Sequence, residues 1–259
     1  MATLIRTEIS QHVGILTLDR PQQFNSLSLA MHQQLVAALD ALEQDPAVRC
    51  LMIQAEGKHF CTGADLHEVT GLRASAQALE HFLATGLASF RRLEQSRLPV
   101  VAAVQGLALA GGLELVLACD IAFAGESARL GDQHAQFGLV PGWGGSQRLP
   151  RLIGRRRALE LMLSARWLDA AEALSFGLVN RVVPDAELRE HTFAYCRELA
   201  ARSKPGLGLM KQLVDRGLDL PLDEALALEL ALAAPALQSN DVSEGLAAFM
   251  EKRAPRFSP

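Results

Sequence analysis

Glu114 is a single carboxylate inside an otherwise apolar run, GLALAGGLELVLACD, which spans residues 106–120. Burying an ionised carboxylate without a partner costs far more than folding can supply, so a buried glutamate is neutralised, paired or used in chemistry. Apolar surroundings raise the proton affinity of a carboxylate and suit it to general acid–base catalysis. The alternative is a helix glutamate that is bonded to backbone or water. Glu114 is therefore the first candidate for proton transfer.

Two glycine-containing segments follow predicted strands: KHFCTGADL at residues 58–66 and AGGLE at residues 110–114. Glycine lets the backbone turn sharply, and a helix that follows such a turn directs free N–H groups outward. Two amides that converge on one carbonyl oxygen form an oxyanion hole, where each donor contributes about 3 kcal/mol. Spacing alone favours a purely structural role, because strand-to-helix turns often need glycine for geometry. Neither segment matches a nucleotide-binding glycine motif.

The elements that position these segments are predicted from hydrophobic periodicity. Residues 13–19 alternate apolar and polar side chains, which predicts a strand paired in a hairpin with residues 3–9. Ser28 is a suitable N-cap for a helix that ends before Asp45 and Pro46. Further strands are predicted over 48–54 and 100–105, and further helices over 75–97, 145–164, 169–176, 185–202, 206–217, 222–238 and 241–252. The sequence therefore predicts an α/β core followed by a helical C-terminal region.

The composition is that of a folded chain, with 259 residues of which 49% are hydrophobic and 21% are charged. A net charge of -4 provides no general basic field for nucleic acid or an anionic membrane. The four cysteines lack metal-ligand spacing, so neither structural zinc nor a disulfide framework is expected. Residues 1–10 lack a secretory signal and no apolar run reaches bilayer length, so we expect a cytoplasmic protein without a membrane span.

The segment ALALELALAA at residues 225–234 is apolar on nearly every face, so a helix there needs cover on more than one side. A core helix and a subunit interface explain this pattern equally well. No low-complexity tract or long linker separates the α/β and helical parts. We therefore expect one structural unit rather than independent domains.

Four motifs occur in order along the chain: DRPQQFNSL at 19–27, FCTGADL at 60–66, the run 106–120, and PGWGGSQRLP at 141–150. Together they resemble the crotonase, or enoyl-CoA hydratase/isomerase, superfamily, and the likeness continues to GLAAFMEKR at 245–253. The resemblance implies a crotonase-like α/β spiral of repeated ββα units over 1–195. It also implies a C-terminal helical region over 196–259 that builds homotrimers, often paired into hexamers.

The resemblance also implies an acyl-CoA thioester as substrate, with no metal and no cofactor beyond the coenzyme A of the substrate. The backbone N–H groups of Ala64 and Gly111 would form the oxyanion hole. Lys252 would reach a CoA phosphate, on its own or a neighbouring subunit, although a solvated surface role also suits a lysine. The remaining residues expected to contact CoA or the acyl group are Gln22, Gln23, Phe24, Thr62, Asp65, Leu66, Gly112 and Trp143.

Hydratases of this superfamily hold one water between two glutamates, of which Glu114 matches the first. Counting back from GLVPGWGG at 138–145 places the second glutamate position on His134. His134 and Glu114 can position the same water, since imidazole accepts or donates a proton near neutral pH. A protonated His134 can instead anchor a substrate carboxylate, or it can only complete a hydrogen-bond network. Asp132 and Gln133 are close enough to orient the ring, and Asp132 is a reserve acid.

Three functions follow from these residues. Hydration of a 2-enoyl-CoA, or the reverse dehydration, uses Glu114 and His134. Double-bond isomerisation or decarboxylation uses Glu114 alone. A non-catalytic acyl-CoA- or RNA-binding protein would use the basic patch Arg148, Arg151, Arg155, Arg156 and Arg157, but the net charge gives RNA little long-range attraction.

The acyl group is not determined by the sequence. Residues 69–73 and the following helix would form the wall of the acyl site in this superfamily. Apolar side chains at helical spacing either line this pocket or belong to the core, namely Leu66, Val69, Leu72, Phe82 and Trp143.

Overall fold

Two β-sheets and eleven α-helices form the part of the chain that the computed structural model describes, residues 2–257. The strands are β1 (Ile5–Ser10), β2 (Val13–Leu18), β3 (Cys50–Ala55), β4 (Val100–Val104), β5 (Leu107–Leu109), β6 (Ile121–Gly125), β7 (Arg129–Gly131), β8 (Leu168–Asp169) and β9 (Arg181–Val183). The helices are α1 (Leu29–Gln44), α2 (Leu66–Leu72), α3 (Ala76–Glu94), α4 (Gly111–Leu117), α5 (Gly145–Ile153), α6 (Arg155–Ser164), α7 (Ala170–Ser175), α8 (Leu188–Ala200), α9 (Lys204–Gly217), α10 (Leu222–Ala236) and α11 (Asn240–Met250).

The main sheet has six strands in the order β1-β2-β3-β4-β6-β9. Strands β1 and β2 form an antiparallel hairpin, as the alternation predicts, and every later pairing in this sheet is parallel. Parallel neighbours require a crossover between them, and here the crossovers carry the helices. The carboxyl ends of the parallel strands therefore lie along one edge, where the loops that follow them meet.

A smaller sheet, β5-β7-β8, forms a second layer. β4 continues into β5 and then α4, and β6 continues into β7 before the next helices, so each turn is a strand–strand–helix unit. Single bridges from Leu27 to Ala64 and from Cys61 to Ala108 extend this second layer to the earlier turns. This arrangement confirms the predicted spiral of ββα units.

The central strands of the main sheet are buried on both faces. Successive side chains of a strand point to opposite sides, so each strand contributes to two separate buried clusters. One buried cluster contains Leu16 and Ile53 with side chains of α1 and α3. The other contains Ile15 and Met52 with Cys196 of α8. Helix α8 therefore packs on the main sheet and runs through the predicted boundary at 195/196, so the division into two regions stays a prediction. Residues 1, 258 and 259 of those regions lie outside the described residues.

The predicted single helix over 145–164 is wrong, because Gly154 divides it into α5 and α6. Gly154 has φ +83° and serves as the C-cap of α5 and the N-cap of α6. This left-handed backbone conformation is accessible to glycine and interrupts the helical hydrogen bonds. Periodicity continues across the break, which is why the pattern alone predicts one helix.

Helices α9, α10 and α11 extend from the core and leave much of their apolar surface exposed. The nearly buried side chain of Lys211 anchors α9 to the core through an ion pair with Asp120, at 2.9 Å. Large apolar side chains that are more than half exposed lie on all three helices: Met210, Val214, Leu222, Leu226, Leu230, Leu246, Phe249 and Met250. Clusters of exposed apolar side chains are typical of interaction surfaces. Within residues 2–257, no helix is both long and apolar enough to cross a membrane.

Candidate active site

Glu114 lies in the first turn of α4 and is buried, with 2% of its surface exposed. Its Oε1 atom accepts hydrogen bonds from the backbone N–H of Trp143, at 2.9 Å, and of Gly145, at 2.7 Å. Its Oε2 atom is also buried but has no hydrogen-bond partner among the described residues. One oxygen is therefore fixed by the protein, and the other is available to a ligand or a water.

The unpartnered Oε2 atom of Glu114 faces His134. His134 Nε2 lies 3.7 Å from it, and the other ring nitrogen, Nδ1, lies 2.9 Å from Asp132 Oδ1. The same Asp132 oxygen accepts the His134 backbone N–H at 3.2 Å, which fixes the orientation of the ring. Asp132 therefore orients the imidazole, whereas Gln133 donates to the carbonyl of Ala165 instead.

Burial and charge shift the proton affinities of both groups upward. Burial raises the pKa of Glu114 above its usual range, opposed by the Gly145 N–H, His134 and the Trp143 N–H. Burial alone would lower the pKa of His134, but the hydrogen bond to Asp132 and the charges of Asp132 and Glu114 outweigh it and raise that pKa. A carboxylate with raised proton affinity beside a readily protonated imidazole is suited to proton transfer near neutral pH.

The two glycine-containing turns meet beside Glu114. The Cys61 N–H donates to the carbonyl of Leu107 in β5, and the Cys61 carbonyl accepts the N–H of Leu109, both at 3.0 Å. A methyl group added at Gly63 would lie 3.0 Å from the nitrogen of Gly111. The N–H groups of Ala64 and Gly111 donate no hydrogen bond within residues 2–257. The arrangement offers two adjacent free amides, as an oxyanion hole requires.

The second glycine-containing segment, residues 110–114, depends on a left-handed residue and on one close backbone approach. Ala110 has φ +49°, a conformation that costs a non-glycine residue energy and is found at functional sites when the surrounding structure holds it. A methyl group added at Gly112 would lie 2.0 Å from the carbonyl oxygen of Cys61. Gly112, which we expected to contact substrate, therefore lets α4 pack against the first turn.

The predicted CoA-contacting residues of the first turn lie together. Thr62 donates its N–H to the carbonyl of Phe24 at 3.2 Å, and Phe24 is half exposed. Asp65 caps α2 and is 2.7 Å from the guanidinium of Arg20. Burial would raise the pKa of Asp65, but Arg20 and the capping N–H groups lower it overall. Asp65 thus holds the turn in place, while Leu66 is exposed beside it.

The other predicted residues occupy different surroundings. Trp143 is buried against His32, Phe82 and Phe90, so Trp143 and Phe82 belong to the core rather than to an open pocket wall. Val69, Leu72, Gln22 and Gln23 are half-buried or exposed near the first turn. Lys252 is exposed just beyond α11, and no hydrogen bond or ion pair among the described residues connects it with Glu114.

The predicted basic patch is interrupted. Arg155, Arg156 and Arg157 are exposed at the start of α6. Arg148, which the sequence groups with them, instead binds Glu94 and is largely buried. In the described part of the chain, no group of three or more His, Cys, Asp or Glu side chains is placed to hold a metal ion.

The loops around the site are held by residues that the sequence pattern does not single out. Asn25 is fully buried, accepts the Arg20 N–H, and donates to the carbonyls of Glu56 at 2.9 Å and His59 at 2.8 Å. Its φ of +54° also places it in the left-handed region. An asparagine after an Arg-Pro turn was the available signal, since asparagine tolerates this conformation and bonds to nearby backbone.

Comparison with known proteins agrees with this geometry. The chain matches the family model described as enoyl-CoA hydratase/isomerase over residues 8–259. It is 39% identical over 254 residues to a probable enoyl-CoA hydratase of Mycobacterium bovis, covering 98% of this chain and 97% of that protein. It is 37% identical to the mitochondrial methylglutaconyl-CoA hydratase of Rattus norvegicus, covering 96% and 80%. The crystal structure of an enoyl-CoA hydratase from Bacillus anthracis is 36% identical, with a TM-score of 0.95 over 98% of this chain and 99% of that one. The resemblance seen in the four motifs is confirmed.

The burial of Glu114 predicts that Glu114→Gln stabilises the fold at neutral pH. A carboxyl whose pKa is raised on folding binds its proton more tightly in the folded state, so stability falls as pH rises through that pKa. The substitution removes this loss and keeps an acceptor for Trp143 and Gly145. We expect Tm at pH 7 to rise by about 2–4 °C, which corresponds to about 1 kcal/mol in a domain of this size.

Thermal unfolding from the ordinary glutamate range to neutral pH measures this effect, and the gain over wild type should shrink as pH falls. Glu198→Gln, on the exposed face of α8, is the matched control and should leave Tm unchanged. A gain that is independent of pH would contradict an electrostatic origin.

Proposed function

The chain belongs to the enoyl-CoA hydratase/isomerase family of the crotonase superfamily, and on that premise we propose that it hydrates 2-enoyl-CoA thioesters. It adds water across the α,β double bond to give a 3-hydroxyacyl-CoA, or removes water in the reverse direction. The observation that carries the proposal is the pair formed by the unpartnered Glu114 Oε2 and His134 Nε2, 3.7 Å apart. A water oxygen at an ordinary distance of about 2.8 Å can contact both atoms.

The two groups divide the proton transfers. Glu114, ionised, takes a proton from the water through Oε2 as the water oxygen bonds to the β-carbon. The electron pair of the double bond moves toward the thioester and forms an enolate. Protonated His134 supplies the proton that the α-carbon receives. Glu114 then holds one proton more and His134 one fewer, and transfer between them restores the starting state.

The enolate oxygen is stabilised by the N–H groups of Ala64 and Gly111. Amides fixed by the protein stabilise a developing negative charge without having to reorganise during the reaction. The CoA part of the substrate passes along Gln22, Gln23, Phe24, Thr62 and Leu66, and Lys252 reaches a CoA phosphate. Hydration in this scheme uses no metal and no cofactor other than the CoA of the substrate.

The surroundings of His134 favour a role as proton donor over a role as anchor for a substrate carboxylate. Asp132 and Glu114 already supply two negative charges around one imidazolium. A third carboxylate would meet an excess of negative charge, because like charges at this distance repel strongly in a buried site. The proximity of His134 to Glu114 also favours hydration over isomerisation or decarboxylation, which need only Glu114.

A homotrimer, or a pair of trimers, accounts for the apolar side chains that α9, α10 and α11 leave exposed. Obligate interfaces resemble a hydrophobic core that is divided between subunits. Leu230 and Phe249 are both more than 70% exposed in the single chain, so they are the best-placed residues to report on such contacts.

The proposal predicts incorporation of heavy oxygen from solvent into the product. Purified protein is incubated with crotonyl-CoA, 3-methylglutaconyl-CoA or a 3-enoyl-CoA in heavy-oxygen water, and the products are resolved by mass. Glu114→Gln should lower turnover by about 100-fold or more, since a positioned acid or base contributes about 10²–10⁴-fold. His134→Ala should lower turnover by a similar factor.

His134→Glu is the variant that separates the alternatives. A glutamate at this position sits between two carboxylates, takes up a proton and remains an acid, so incorporation should be largely kept or raised. Bond migration without incorporation would select isomerisation. Absence of turnover despite tight CoA-ester binding would reject hydration of these substrates.

The directions of the two pKa shifts predict a bell-shaped dependence of kcat/KM on pH. Activity should rise with pH as Glu114 ionises, above the ordinary glutamate pKa of 4.5, and fall as His134 loses its proton, above the ordinary histidine pKa of 6.5. His134→Glu should move the alkaline limb, because the group that titrates there has been replaced. An alkaline limb that is unchanged in His134→Glu would contradict the assigned acid.

Light scattering tests the proposed assembly. Wild type should have about three or six times the mass of one chain, and a charge placed in an apolar interface by Leu230→Glu or Phe249→Glu should dissociate it. Leu163→Glu is the matched control, because Leu163 is equally exposed but lies on α6. A monomeric wild type would contradict the assembly.

A further inference from the structure

Arg148 contacts the loop that holds Glu114. Its Nη1 atom donates to the carbonyl oxygen of Trp143 at 2.7 Å. The Trp143 N–H and the Gly145 N–H are the two donors to Glu114 Oε1, so this carbonyl belongs to the peptide that lies between them. The loop is therefore held by Glu114 on one side and by Arg148 on the other.

Glu94, at the end of α3, fixes the guanidinium. Arg148 Nε and Nη2 donate to its two carboxylate oxygens at 2.8 and 3.0 Å, and Arg148 is 13% exposed. This paired geometry matches the planar fork of arginine and leaves Nη1 directed at Trp143. Burial would raise the pKa of Glu94, but Arg148 and then Arg91 lower it, which keeps Glu94 ionised.

The peptide that Arg148 holds is intrinsically free to turn. It joins Trp143 to Gly144, and Gly144 has φ +108°, so glycine provides little restraint of its own. The guanidinium passes directly against this glycine, since a methyl group there would lie 2.0 Å from Nη1. The Gly145 N–H belongs to the next peptide, which α5 already holds because the Gly144 carbonyl accepts the N–H groups of Gln147 and Arg148 at 3.0 and 2.8 Å. Without the side-chain hydrogen bond from Arg148, the Trp143 end of the loop is released, and with it the Trp143 N–H that donates to Glu114 Oε1.

We infer that Arg148, fixed by Glu94, is a positioning residue that holds the 143–145 loop so that Glu114 Oε1 stays bound and Oε2 faces His134. The inference rests on the proposed function for its kinetic consequence, but the geometry of the loop stands independently. Arg148 acts through the loop, and its guanidinium does not touch the reacting atoms.

Arg148→Met tests the inference, because it keeps much of the apolar stem and removes all three hydrogen bonds. We expect kcat to fall roughly 10- to 100-fold, as for a catalytic group displaced by about 1 Å, with KM changed less than about threefold. The acid limb of the pH profile should move to higher pH, because the Trp143 N–H that favours ionised Glu114 is no longer held in place. Arg148→Lys should rescue only part of this loss, since one ammonium group cannot make the fork and the third bond together.

Arg91→Met is the matched control, because Arg91 binds the same Glu94 carboxylate at 2.6 Å and is exposed. It should leave kcat and the pH profile unchanged. If Arg148→Met does not fold, Glu94→Gln weakens the fork while keeping Arg148, and should produce a smaller shift in the same direction. Wild-type kcat in folded Arg148→Met, or a lower kcat without a shift of the acid limb, would overturn the inference.

Infrared titration of the Glu114 carboxyl band separates this inference from the proposed function. The band is assigned because it is absent from the spectrum of Glu114→Gln. The Glu114 band should titrate at higher pH in Arg148→Met than in wild type, whether or not the chain hydrates an enoyl-CoA. An unshifted band would reject positioning by Arg148. A shifted band in a chain without hydration activity would reject only the proposed reaction.

Discussion

The site depends on the burial of one carboxylate that is hydrogen-bonded through only one of its oxygens. Fully solvated, Glu114 would be an ordinary weak acid, and with both oxygens bonded it would be a structural residue. Two backbone N–H groups on Oε1 reduce the cost of burying the charge, while Oε2 keeps its capacity to accept a proton. The loop at 143–145, the start of α4 and the ring of His134 must all be placed to maintain this asymmetry.

The spiral supplies that placement because each of its turns ends a parallel strand at the same edge of the main sheet. The loop after β2 contains Phe24, the loop after β3 contains Ala64, and the segment after β4 and β5 contains Gly111 and Glu114. The small second layer locks these loops to one another, through the bridge from Cys61 to Ala108. The groups that act on a substrate thus come from distant parts of the chain, and their relative positions are set by sheet register rather than by any one loop.

The sequence was sufficient for the elements with strong local signals and for the residues that stand out from their surroundings. The hairpin, α1 after Ser28, and Glu114 in its apolar run follow from alternation, capping and the cost of burial. The strands β5, β7 and β8 have only two or three residues each, and they exist because a neighbouring strand pairs with them. Likewise, Arg148 has the local signature of a surface arginine, and its direction is decided by Glu94, which lies 54 residues away in the chain.

Asp132 gives a physical reason for a histidine at position 134. Asp132 is buried, with 2% of its surface exposed, and the His134 ring lies between it and a second buried carboxylate, Glu114. A third acid between them would be protonated and neutral, and so would offset neither charge, whereas an imidazole there becomes a cation that both carboxylates stabilise. The histidine therefore supplies a transferable proton and also offsets the charge that makes Glu114 costly to bury. Its two roles are coupled, because giving up the proton leaves two buried carboxyl groups beside a neutral ring, and return of the proton from Glu114 is then favoured.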